Sequence, residues 1–167
     1  MKKIFIIILL AAFTSACSSN DDDNGIDCRL FDPEFPELFV RMVDENGVNL
    51  IRIGTIDPEN ITVEGDFMNP GFRYIPPHEY AEPDAEIRKY DNTLSMFIPR
   101  EEKFEYKINL DDSTSITLEF EAELVEIPCE LFYYVPTGAV FNNQEIALQN
   151  EATDLQFLIE VSLQTNL

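Results

Sequence analysis

Between Lys103 and Leu124 the chain keeps a period of two for almost its whole length, and this limits what it can fold into more than any other feature. Phe104, Tyr106, Ile108 and Leu110 alternate with Lys103, Glu105, Lys107 and Asn109, and Ile116, Leu118, Phe120, Ala122 and Leu124 repeat the pattern from Ser115 onward. A helix would scatter those apolar side chains around its circumference, whereas two extended strands line them up on one face. The polar run Asp111–Thr114 marks a hairpin between them. Directly opposed residues share a face, so the loop has three or five residues. A five-residue loop would pair Leu110 with Ile116, Ile108 with Leu118 and Tyr106 with Phe120, and it needs no glycine. Val125 then follows Leu124 directly and Ile127 keeps the new phase, which predicts a bulge near Leu124 to Glu126.

Other segments carry the same theme. Leu38 to Val43 reads as a first strand, turned by Asp44-Glu45-Asn46-Gly47, whose glycine suits a left-handed position. Val48 to Ile53 and Ile61 to Val63 follow, separated by Asp57-Pro58-Glu59-Asn60. Ala85 to Tyr90 and Leu94 to Ile98 read as a second hairpin across Asp91-Asn92-Thr93. Leu131 to Val135 and Leu155 to Leu163 complete the set. Segments 69–80 are proline-rich loop with several aromatic residues. The expectation is all-β: one antiparallel β-sandwich of about seven to nine short strands, occupying 28–167, with enough chain to bury a single core.

The opening residues follow a different logic. Lys2 and Lys3 precede an apolar run from Ile4 to Phe13, and Thr14-Ser15-Ala16 leads to Cys17. Ten residues rising about 1.5 Å each cannot cross a hydrocarbon core of about 30 Å, so the run reads as a removable leader. Its arrangement resembles a bacterial lipoprotein signal, with Thr14 standing where such signals favour leucine. That resemblance implies a signal peptide over 1–16, cleavage before Cys17 and a lipid on Cys17, hence attachment to a membrane through the anchor. Residues 17–27 hold Ser18-Ser19-Asn20-Asp21-Asp22-Asp23-Asn24-Gly25 and read as a flexible acidic linker. Ser18 and Asp21 to Asp23 are similar to the export cluster of Bacteroidota lipoproteins, which implies the outer membrane and display at the cell surface.

Removing the leader sharpens the charge. The whole chain carries 11 basic and 32 acidic residues, net −21; without Lys2 and Lys3 the balance is 9 against 32, or −23. Such a polyanion repels nucleic acid and anionic head groups. With Cys17 assigned to the lipid, Cys28 and Cys129 form the remaining intrachain pair, and an exported protein favours their oxidation to a disulfide. Two buried thiols or a metal site are the alternatives, the latter short of soft ligands because the chain has one histidine.

Catalytic signals are sparse. His78 stands in a loop between Pro77 and Glu79 with no identifiable triad partners, and 32 acids bring carboxylate pairs together by chance too readily to mark a glycosidase site. No phosphate-cradling glycine motif, cofactor site or metal motif is expected. Glu79, Glu82 and Asp84 could meet a calcium ion, but their spacing is not distinctive. Aromatic side chains able to stack on a sugar or peptide are Phe72, Tyr74, Tyr80, Tyr133 and Tyr134.

Phe39 to Ile51, followed by Thr55-Ile56-Asp57-Pro58-Glu59-Asn60-Ile61, is similar to the first strands of small flavobacterial surface lipoproteins with immunoglobulin-like or transthyretin-like sandwich domains. The resemblance implies fold and origin and assigns no functional residue. The same bacteria attach O-glycans at Asp-Ser/Thr sequences, a pattern that Asp112-Ser113-Thr114 fits, with Ser113 as acceptor. The expected function is therefore a non-enzymatic, lipid-anchored interaction or accessory module of the cell envelope with a protein or glycan partner. A glycan- or peptide-binding lipoprotein is the alternative, and a hydrolase of envelope or extracellular polymers the third reading.

Overall fold

The computed structural model describes residues 25–150 and 155–164. The expected leader, Cys17 and the first part of the acidic linker lie outside the described residues. Nine strands are present among those described: β1 (Glu37–Val43), β2 (Thr62–Gly65), β3 (Phe72–Ile75), β4 (Thr93–Met96), β5 (Lys103–Asn109), β6 (Ser115–Ile127), β7 (Leu131–Phe141), β8 (Gln144–Ile146) and β9 (Gln156–Ser162). They form a four-stranded sheet in the order β3-β4-β1-β9 and a five-stranded sheet in the order β2-β5-β6-β7-β8. The chain divides into two compact units: residues 25–33 with Pro128–Glu130, and 34–127 with 131–164, which holds every strand.

The period-two runs behave as their physics requires. Along β5 and β6 every second residue is buried as far as Ala122, and Phe104 stacks on Phe120 with ring centroids 5.0 Å apart. The register differs from the expected one. Ile108 faces Ile116, Tyr106 faces Leu118 and Phe104 faces Phe120, and the Leu110 amide donates to the Thr114 carbonyl, so the loop has three residues rather than five. A slip of two residues leaves every side chain on its face, so hydrophobic patterning cannot choose between the two registers. The choice falls to Asp111, whose Oδ1 accepts from the Ser113 amide at 2.7 Å, the Ser113 hydroxyl at 2.8 Å and the Thr114 amide at 2.8 Å. This side-chain turn closes the loop without a left-handed residue.

The bulge is also displaced. The ladder between β6 and β7 shifts at Glu121/Ala122, where Thr137 becomes the extra residue between Pro136 and Gly138. Pro136 has no N–H to give a ladder, and sheets accept proline at bulges or edges, so the irregularity sits where the proline is.

The sandwich is not wholly antiparallel. β1 and β9 run parallel over their full length, from Glu37↔Gln156 to Val43↔Ser162. Both contain consecutive buried residues, Leu38-Phe39-Val40 and Phe157-Leu158-Ile159, because each is covered on two faces. Leu38, Val40, Ile159 and Val161 join the core between the sheets, while Phe39, Leu158 and Tyr90 form a second cluster on the outer face, with Ile75 against it. Burial on both faces is the setting in which parallel pairs occur.

Two expected strands are turns. Residues 48–53 form a chain of turns with one bridge, Val43↔Asn49; Leu50 and Ile51 are both buried there, which breaks a period of two, and Gly54 takes φ +77°. Glu86–Tyr90 is a 3-10 turn that lays Tyr90 over Phe39, ring centroids 4.2 Å apart. The expected hairpin across Asp91–Thr93 is absent: β4 pairs with β1 and with β3. Two strands lay in expected loop. β3 carries Phe72 and Tyr74 toward the core, and β8 follows a two-residue turn at Asn142-Asn143, both in the left-handed region, the geometry that suits hairpin twist.

In the smaller unit Cys28 and Cys129 are joined as a disulfide spanning 101 positions of sequence. Asp27 turns the chain beside it, its Oδ1 accepting from the Arg29 amide and its carbonyl from the Leu30 amide.

Candidate functional site

The outer face of the four-stranded sheet bears a depression of about 530 Å³ whose lining is the chain's charge in reverse: Arg41, Arg52 and Arg88 meet there with Asn49, Asn92 and a single acid, Asp91. The whole chain has six arginines against 32 acids, so half of its arginines line one cavity.

Each arginine reaches it from a different element. Arg41 alternates outward on β1, opposite Glu160 of β9, and its Nη1 lies 2.7 Å from the Glu160 carboxylate. Its Nη2 donates to the Lys89 carbonyl. Arg88 belongs to the 3-10 turn and holds the preceding loop: Nη2 donates to the Ala81 carbonyl at 2.6 Å, Nε to the Glu82 carbonyl at 2.8 Å, and Nη1 pairs with Asp91 at 3.3 Å. Arg52 extends from the turns after β1. Its amide is held by Asn49 Oδ1 at 2.9 Å, but its guanidinium has no partner among the described residues.

The floor is a buried amide network. Asn92 takes φ +55° between the 3-10 turn and β4, a conformation asparagine tolerates better than most residues. Its amide donates to the Ile75 carbonyl at 2.8 Å, its carbonyl accepts from Asn49 Nδ2 at 3.0 Å, and its Oδ1 accepts from the Tyr74 hydroxyl at 2.9 Å. Asn49 and Asn92 are 8% and 7% exposed, so these bonds replace water and fix the turns that carry Arg52 and Arg88. Burial, and after it the charge of Asp91, holds the Tyr74 hydroxyl above the ordinary tyrosine range. Asp91 Oδ1 also accepts from the His78 amide at 3.0 Å, which ties the loop to the same network.

In hydrogen-bonding terms the depression has donors to spare. A guanidinium carries five N–H groups. Arg41 commits two, Arg88 is spent chiefly on backbone carbonyls and Asp91, and Arg52 commits none within the described residues. Glu160 and Asp91 balance two of the three charges; that of Arg52 has no counter-charge among the described residues.

A larger depression, about 810 Å³, lies beside β8 and β9 between Phe141, Gln144 and Leu163, with Glu45, Glu145 and Glu160 on its walls. No three His, Cys, Asp or Glu side chains converge as metal ligands among the described residues.

The side chains singled out from sequence do not assemble. Phe72 and Tyr74 pack on the core from β3, and Tyr134 does so from β7. Tyr133 meets Phe35 edge to face at 6.0 Å. Tyr80 is 93% exposed in the loop whose ends, Pro77 and Pro83, line the arginine depression. No two of these five rings are in contact. Ser113 is exposed at the hairpin tip with its hydroxyl bonded to Asp111. Sequence reasoning passed over Arg41, Arg52, Arg88, Asn49 and Asn92. The available signal was scarcity: in so acidic a chain each arginine is worth tracing.

Comparison with protein-family models, with curated proteins and with solved structures returns no match.

Proposed function

We propose that this chain is a non-enzymatic, lipid-anchored lipoprotein of the bacterial outer membrane, displayed at the cell surface, whose immunoglobulin-like or transthyretin-like sandwich serves as an interaction or accessory module. The observation that carries the reading is the order of its parts. A short apolar run ends at Cys17, an acidic spacer with no apolar residue follows, and a two-sheet β domain with its own core comes after. A lipid on Cys17 would hold that domain at a bilayer, since acyl chains contribute about 0.8 kcal/mol per buried methylene and two or more anchor durably. The spacer would keep the domain off an anionic surface.

The test is metabolic labelling with a palmitate analogue in a Bacteroidota host, combined with protease treatment of intact cells. The wild-type chain takes up label and is cleaved from outside, and Cys17→Ser does neither. Equal labelling of Cys17→Ser would refute the anchor, and protection in intact cells would refute surface display.

A ligand-binding role within the same reading is favoured by one observation, the arginine-lined depression bordered by the loop that exposes Tyr80.

A further inference from the structure

We infer that the depression formed by Arg41, Arg52 and Arg88 is a binding site for a single carboxylate group carried by an otherwise uncharged small ligand. The inference needs the fold but not the tether, so it stands or falls apart from the lipid anchor.

Three arguments lead to it. Guanidinium N–H groups are present in excess of the acceptors around them, and a planar fork of donors matches a carboxylate in two parallel hydrogen bonds. The excess is held in place. Arg88 is locked by the Ala81 and Glu82 carbonyls, Arg41 by Glu160 and the Lys89 carbonyl, and the turn leading to Arg52 by Asn49, so binding would order little more than the Arg52 side chain. The volume of about 530 Å³ lies within the usual range of ligand pockets, about 300 to 1,000 Å³.

The charge of the ligand follows from the field around the site. A chain of net −21 repels a polyanion that must lie along its surface. A small monoanion avoids that cost, because at physiological ionic strength screening limits the field to about 8 Å, and inside the depression it meets Arg52, whose charge has no counter-charge among the described residues. Polyuronates and nucleic acids are thereby disfavoured. The carboxylate of a sugar acid and that of a peptide C-terminus present the same chemistry.

The test is calorimetric titration of the full-length protein in non-ionic detergent at about 0.15 M salt, where the field is screened within about 8 Å, with two matched pairs: glucuronate against glucose, and N-acetylglycine against its amide. Binding of a carboxylate with at least tenfold weaker binding of its neutral partner is expected, and the pair that responds identifies the source. Arg52→Gln should weaken that binding about tenfold, the loss of a charge-assisted pair, while unfolding at the wild-type denaturant concentration. Arg52→Lys should recover part of it. Equal binding of the neutral partners, no binding of either carboxylate, or unchanged affinity in Arg52→Gln would each overturn the inference.

Discussion

Tyr106 offers the sharpest test of how the sandwich is held. It is fully buried on β5, its ring meets Phe67 edge to face at 5.0 Å, and its hydroxyl donates to the Phe97 carbonyl at 2.8 Å. Burial pushes this hydroxyl up to about 12, against an ordinary value of 10.0. Tyr106→Phe keeps the ring and removes the donor, leaving the Phe97 carbonyl short of a partner, so at pH 7 the variant should be less stable by about 1 to 2 kcal/mol. The pH dependence runs the other way. Because the folded value is raised, the wild-type contribution is fully present below pH 10 and is lost as pH climbs toward 12, when the unfolded chain ionises and the folded one resists. Two pH units correspond to about 3 kcal/mol at most, so the wild type should lose its advantage near pH 11, roughly, and fall below the variant beyond it. Urea unfolding of both proteins at intervals between pH 7 and 11.5 measures this, and the difference between them cancels the contributions of Tyr74 and Lys103, which are also raised. Parallel curves across that range would refute the burial of an ionisable hydroxyl as the cause.

Three further outcomes follow from separate parts of the fold. Replacing both bridge cysteines, Cys28→Ser with Cys129→Ser, opens a closure of 101 positions and should lower stability by up to about 4.7 kcal/mol, read by guanidinium unfolding against the oxidised wild type; no change would mean that the bridge does not constrain the unfolded chain. Gly65→Ala should destabilise by about 1 to 3 kcal/mol, because the new Cβ would meet Phe67 Cε1 at 2.8 Å and the Glu105 carbonyl at 3.2 Å, whereas Gly71→Ala, with nothing within 4 Å, should change thermal stability by less than about 0.5 kcal/mol. Asp111 is held below the ordinary carboxylate value chiefly by the Ser113 amide, so its support of the β5–β6 hairpin is present above about pH 4 and fades as pH falls through its lower folded value. Asp111→Ala should therefore speed hydrogen exchange at the Leu110 amide at neutral pH and erase the acid-dependent part of that protection.

What could be read from sequence was what one face of one strand decides. Alternation along 103–110 and 115–122 located β5 and β6 because each has a single buried face, and the left-handed Gly47 ended its turn as glycine allows, at φ +76°. Where both faces are covered, the period reports only one of them. Across 155–163 the alternation of Leu155, Phe157, Ile159, Val161 and Leu163 marks the core face, which Phe157, Ile159, Val161 and Leu163 occupy. Leu158 on the other face, like Phe39 between Leu38 and Val40, does not announce a parallel pair, and the cover over Phe39 comes from Tyr90, distant in sequence. Runs such as Val48 to Ile53 and Ala85 to Tyr90 resemble strands in mixing apolar with polar residues, yet of their apolar side chains Leu50, Ile51 and Tyr90 are the buried ones, carried on turns held by Asn49 and Arg88. A local window does not contain the partners of those two residues. Asn142-Asn143 was legible and went unread: two residues tolerant of positive φ between Phe141 and Gln144 are themselves a hairpin signal.

The arginine site shows why composition misleads when it is averaged. A net charge of −21 describes the far field, but a binding site is decided within a few ångströms, where the count is three guanidinium groups against Asp91 and Glu160. Arg41, Arg52 and Arg88 are 11 and 36 positions apart in sequence. They meet because β4 lies beside β1, which brings the 3-10 turn before β4 against the turns after β1, and because Asn49 and Asn92 hydrogen-bond across that junction. The two buried asparagines are thus the link between fold and site. Replacing either with an apolar residue would leave buried partners unsatisfied and release the turns that carry Arg52 and Arg88, so the polar network that looks like a packing expense is the element that brings these arginines to Arg41 in an acidic protein.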